Sequence, residues 1–203
     1  MQRSKLMFSD AELQMACNTE VILTKNRIIE KVFQAFGGLG RNLFEELAPL
    51  RTALPEETGI LPKISKGEQY RGLPWVMLDY PRCFHQKKGH LALRVMFWWG
   101  NYYLVQMHVS GNYLAPVLKK SEEWVKRGTF SETGWWIGFP ENSWDFLIPQ
   151  PGMCNPEEFN WLETFTKSGI FKIIKVLPIE NQVLDETVMK LALLMQEALS
   201  ENV

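Results

Sequence analysis

The chain reads as an α+β protein with a largely antiparallel sheet, and three observations carry that expectation. Leu91–Trp99 and Tyr102–Val109 are rich in aromatic and β-branched residues and flank Gly100-Asn101, so they are expected to form a hairpin. Helical patterns occupy both ends of the chain. Between them lie several short strand-like runs on short connections, the pattern of N- and C-terminal helices packed on an antiparallel sheet. At 203 residues the chain is long enough to bury a substantial core, and it is read as one globular domain spanning 1–203.

The first third is helical by its spacing. Ser9 and Glu12 stand at capping-box distance, and Ile22, Ile29, Val32, Phe33 and Phe36 recur at helical intervals, with Asn18-Thr19 as a point of interruption. Gly37-Gly38-Leu39-Gly40 is expected to end this run, and a short helix over Arg41–Ala48 is closed by Pro49. Residues 49–73, punctuated by Pro55, Gly59, Pro62, Gly67 and Gly72, read as a long loop.

Trp75–Tyr80 has strand composition and is expected to stop at Pro81, after which a polar loop leads into the hairpin. Ser121 is placed as the cap of a short helix to Arg127 with Gly128 beyond its end, and Trp135–Phe139 and Trp144–Ile148 read as short strands. Asn155-Pro156-Glu157-Glu158 combines an N-cap, a proline at the first helical position and an acidic first turn, which predicts a helix reaching to about Gly169. Ile170–Leu177 is a further strand. Leu184, Val188, Leu191, Met195, Ala198 and Leu199 then form the apolar stripe of a last helix, with Asp185 and Glu186 at its positive end.

Composition narrows the function. Lysine and arginine total 22 against 23 aspartates and glutamates, a balance that favours neither nucleic acid nor an anionic membrane as a partner. Cys17, Cys83 and Cys154 are widely spaced and odd in number, which argues for a reducing compartment over a disulfide framework. No apolar leader opens the sequence and no long uninterrupted apolar stretch follows, so a soluble cytoplasmic protein is expected. Eight tryptophans and twelve phenylalanines make an aromatic load heavy enough to fill a core or to line a cavity.

The hairpin concentrates the chemistry. A two-residue turn at Gly100-Asn101 pairs Trp99 with Tyr102, Phe97 with Leu104, Val95 with Gln106 and Leu93 with His108. Gln106 and His108 then share a face as two polar groups among hydrophobic ones, able to orient a ligand together, and Arg94 falls on the opposite face, where an ion pair with Asp79, Asp145 or a glutamate is expected. Trp98 and Trp99, adjacent in a strand, project to opposite sides.

Other motifs carry less. Cys83, His85 and His90 offer soft and nitrogen ligands, but their spacing matches no zinc signature, and no metal site is assigned. The glycine-rich run at 37–40 lacks the Walker and dinucleotide spacings and follows a helix. The leading expectation is a non-enzymatic binding or interaction domain with an aromatic-lined pocket or groove for a small molecule or protein partner, using Gln106 and His108. Two alternatives stand beside it: a hydrolase or transferase assembling Asp79, His85 and His108 from separate segments, and a homo-oligomeric structural protein, which an exposed apolar face on the last helix would favour.

Overall fold

A computed structural model describes residues 6–51, 61–160, 169–180 and 183–200. The capping box forms as spaced: the Glu12 backbone donates to Ser9 Oγ at 3.3 Å and the Ser9 backbone donates to Glu12 Oε2 at 2.8 Å, opening α1 (Asp10–Cys17). Asn18 ends α1 and caps α2 (Thr19–Glu46), its side chain accepting from the Glu20 backbone. The glycines at 37–40 do not end α2, which runs through them, so of the separate helix expected over Arg41–Ala48 the stretch Arg41–Glu46 is the C-terminal part of α2. Gly40 marks a close approach to the sheet, since a Cβ there would stand 3.1 Å from Pro62 Cβ and 3.3 Å from Leu78 Cδ1. Glycine costs a helix about 0.5–1 kcal/mol relative to alanine, and burial of Phe36, Leu39 and Leu43 on the same helix outweighs it. Pro49 does not close a helix either; it lies in the first turn of the short α3 (Ala48–Arg51), where no intrahelical donor is missed.

Seven strands form one antiparallel sheet in the order β1-β2-β3-β4-β7-β5-β6. They are β1 (Lys63–Tyr70), β2 (Leu73–His85), β3 (Gly89–Trp98), β4 (Tyr103–Val109), β5 (Trp135–Gly138), β6 (Met153–Cys154) and β7 (Phe171–Leu177). β1 falls inside the segment expected to be loop. It is an edge strand whose lysines and glutamate give little strand signal but suit an edge facing water, and its Gly67 lies under the Trp75 indole, 2.6 Å from where a Cβ would be. Pro55 and Gly59, from the same expected loop, lie outside the described residues.

β2 does not stop at Pro81. A bulge between Asp79 and Arg82 absorbs Tyr80-Pro81, a cis peptide, and the ladder resumes to His85. The β3–β4 hairpin forms, but one residue away from the expected register. Asn101 donates its backbone N–H to Trp98 O at 3.1 Å and Trp98 donates to Tyr102 O at 3.0 Å, so Gly100, with φ 68°, is the second central residue of the turn instead of the first. Phe97 therefore pairs with Tyr103, Val95 with Val105, Arg94 with Gln106 and Ala92 with His108. Apolar residues on both faces gave no polarity contrast to fix the register.

The sheet has two differently covered faces. Helices α2, α3, α4 (Leu114–Lys126) and α5 (Leu184–Ser200) cover the first, burying Val95, Phe97, Val105, Met107 and Ile173 against Phe36, Leu43, Trp124 and Leu191. α4 begins earlier than expected, and Ser121 sits within it, donating to Val117 O at 2.6 Å. Gly128 follows its end with φ 75°, as its place in the sequence suggested. The apolar stripe of α5 is buried in the chain itself. Leu191 is fully buried, and Leu191→Ala is expected to cost about 2–5 kcal/mol; an unchanged urea midpoint and slope would remove α5 from the core.

The second face carries Met77, Met96, Trp98, Leu104 and Ile174, and the irregular segment 139–152 between β5 and β6 leaves the first cluster at Phe139 and crosses the second face as a strap that packs Phe146 and Ile148 on it. The strand expected at Trp144–Ile148 does not form. Asn142 Oδ1 accepts from the Trp144 backbone at 3.1 Å and Asp145 Oδ1 from the Phe146 backbone at 2.8 Å, local bonds that compete with a ladder. Asn155 caps only a single turn at Pro156–Glu158, after which Phe159 is extended; 161–168 of the helix expected there lie outside the described residues.

Candidate functional site

Strand parity assembles a row of polar side chains across the second face. Arg94 on β3 stands between Asp79 on β2 and Gln106 on β4, and His108 stands between Ala92 on β3 and Lys172 on β7. The bulge matters here. Asp79 and Arg82, three residues apart, would face opposite ways in a regular strand; the extra residue turns both to the second face, with Arg82 opposite Ala92. Gln106, His108 and Lys172 are fully buried, and Asp79 and Arg94 nearly so.

The strap roofs this row with rings. Trp144 lies 5.6 Å from the Arg94 guanidinium, 6.0 Å from the His90 ring and 6.5 Å from the His108 ring, and Phe146 lies 5.9 Å from Lys172 Nζ. Asp145 anchors it, accepting from the Tyr70 hydroxyl and, at 2.7 Å, from Arg71. The Tyr102 hydroxyl donates to Phe146 O at 3.1 Å and accepts from the Ile148 backbone at 3.3 Å. Gly138 and Gly152 pinch the base together: a Cβ on either would stand about 2 Å from a backbone oxygen of the opposite side, at 2.1 and 2.0 Å.

Electrostatics under the strap are governed by burial. Asp79 is pushed up by desolvation although Arg94 Nε donates to it at 2.6 Å. Burial first, then the positive charges of Lys172, Arg94 and His90, hold His108 well below the usual histidine range, so it is a neutral imidazole with one donor and one acceptor nitrogen. The same burial, with Arg94 beside it, lowers Lys172 to about 7. Asp145 is lowered: burial works against its ionised form, and the Tyr70 and Arg71 contacts outweigh it.

The expected pair is brought together, since Gln106 and His108 share a face two residues apart. Arg94 is a correction, for it lies on that same face and not the opposite one, directly across from Gln106; the ion pair with Asp79 is present. The expected Val95–Gln106 and Leu93–His108 pairs are replaced accordingly. Asp79 and His108 share the second face, whereas parity puts His85 on the first, at the β2–β3 turn, where its Nδ1 accepts from the Lys87 and Lys88 backbones at 3.1 Å. Trp98 and Trp99 do part, one into each cluster. Sequence reasoning missed Lys172 and the strap. A lysine two residues into an apolar strand was the available signal for the first, and Asn142 and Asp145, whose side chains bond the backbone locally, were the signal for the second.

Among the described residues no group of three or more His, Cys, Asp or Glu side chains is placed to hold a metal, and no helix is long and apolar enough to cross a membrane. No family model, curated protein or solved structure matches the chain.

Proposed function

We propose that this chain is a non-enzymatic small-molecule-binding domain whose ligand lies between the polar row of the second face and the aromatic strap, with Gln106 and His108 as its specific contacts. One observation supports the reading above the rest. Both ends of the Gln106 amide and both ring nitrogens of His108 are buried without a hydrogen-bond partner among the described residues. Each such group costs about 1–3 kcal/mol when left unbonded, so a protein that places four of them together forgoes much of its stability unless a ligand bonds to them. The strap supplies the means of entry, being held by side-chain contacts and not by a ladder. A reducing cytoplasmic setting accompanies this reading, supported by the odd, dispersed cysteines.

Only three histidines occur in the chain, which makes imidazole resonances a direct report on the site. A fragment set of neutral, cationic and anionic aromatic compounds is expected to include members that shift the His108 signals and leave those of His85 in place. Replacing His108 or Gln106 by Ala should weaken those members by about 1–3 kcal/mol, roughly fivefold to over a hundredfold, while each variant still unfolds cooperatively. Fragments that never move His108, or that bind both variants as well as wild type, would reject the reading.

A further inference from the structure

We infer that the ligand is a small monoanionic carboxylate that also carries a hydrogen-bond donor, its carboxylate set on the Lys172 amine and its donor on Gln106 or His108. The inference rests on the second face being a ligand site and adds the chemistry of what it takes. Pairing of the buried charges leads to it. Asp79 is held by Arg94 at 2.6 Å, and the Asp145 carboxylate is turned to Tyr70 and Arg71. Arg82 is partly exposed, although its Nε is buried without a hydrogen-bond partner among the described residues. Among the described residues of this face, Lys172 is the fully buried cation left without a carboxylate. Its ammonium has three donors, and its one bond among the described residues goes to an uncharged acceptor, the Asp145 backbone carbonyl at 3.3 Å.

Lys175, three residues along the same strand and also buried, is paired within the chain. Its Nζ donates to Glu132 at 3.0 Å and to Thr133 O at 2.8 Å. Lys172 has no such carboxylate. A buried cation without one favours an anion from outside the chain, and a carboxylate beside the amine would offset the desolvation that strips its proton.

The remaining polar groups set the rest of the ligand. Gln106 and neutral His108 together present donors and acceptors, so a ligand that only accepts would leave Gln106 Oε1 or a ring nitrogen unbonded; a hydroxyl or N–H on the ligand answers it. Phosphate fits less well. A second negative charge needs a second fully buried cation without a carboxylate; Arg94 is already committed to Asp79, and Arg82 is partly exposed. The rings of Trp144 and Phe146, close to Arg94 and Lys172, favour a planar body.

The probes are 4-hydroxybenzoate, 4-hydroxybenzamide and inorganic phosphate, titrated at pH 6 with the His108 resonances as readout. Wild type is expected to bind 4-hydroxybenzoate at least about tenfold more tightly than the amide, and phosphate should leave His108 unmoved. Lys172→Met should bind the two organic probes alike, and Lys172→Arg, which keeps the charge, should keep a preference for the acid. Equal binding of acid and amide to wild type would overturn the anion while leaving the site reading intact. Phosphate displacing 4-hydroxybenzoate at equal concentration would overturn the carboxylate. Should neither organic probe move His108, this ligand class is rejected; the site reading itself falls only if the wider fragment set also fails.

Discussion

Lys172→Met is expected to be more stable than wild type at pH 6, and its advantage should shrink as the pH rises toward 10. The native amine titrates near 7 and the free side chain near 10.5, so between these values the unfolded chain holds a proton that the native protein has released. Raising the pH across that interval therefore favours native wild type, and below about 7 the full cost of burying the charge is present. At 1.36 kcal/mol per unit that cost has a ceiling of about 5 kcal/mol, and loss of the bond to Asp145 O returns about 1 kcal/mol of it. Methionine fills similar space without a charge. We expect a gap of roughly 2–4 kcal/mol at pH 6 from urea unfolding. A gap that stays constant from pH 6 to 10, or wild type the more stable at pH 6, would show that Lys172 is solvated through the strap.

Gly152→Ala should be the more damaging of the single-methyl changes at the strap. Gly152 has φ 81°, and an added Cβ would meet Phe139 O at 2.0 Å, a backbone atom that cannot rotate away. Left-handed backbone costs an L-residue about 1–2 kcal/mol and overpacking about 1–3 kcal/mol, so a loss of about 2–5 kcal/mol is expected if the base stays closed. The chain can also yield by opening the base. In that case stability falls less, but the Phe146 and Ile148 amides, which donate to the Tyr70 and Tyr102 hydroxyls, should lose their protection from hydrogen exchange. Wild-type stability together with wild-type protection of both amides would mean that the two glycines do not pinch the strap.

The fold was legible where burial imposes a period. The capping box at Ser9, the stripe of α5 and the aromatic strands each state their structure locally. α2 was cut short because Gly37, Gly38 and Gly40 break a helix on propensity alone, whereas the fit of Gly40 against Pro62 and Leu78 is a tertiary reason to keep one there. β1 was missed because an edge strand needs charge more than it needs β-formers. The site was half legible. Parity put Gln106 and His108 together whatever the register, but the side of Arg94 depended on a one-residue choice of turn, and the nearness of Lys172 depended on β7 lying next to β4, a pairing of segments far apart in sequence.

The unequal covering of the two sheet faces separates the layer that keeps this protein folded from the face on which the proposed ligand would lie. Helices clamp one face with interlocking aliphatic and aromatic side chains, where nearly every substitution is felt as lost stability. The strap on the other side is an irregular excursion fixed at a two-glycine base and at Asp145 and Tyr102, so the residues between those anchors, Trp144 and Leu147 among them, are open to change at little cost to the helical layer. If the proposed site is real, a lineage carrying this architecture could vary its recognition chemistry by rewriting one short segment, while the folding free energy held by the helical layer is left in place.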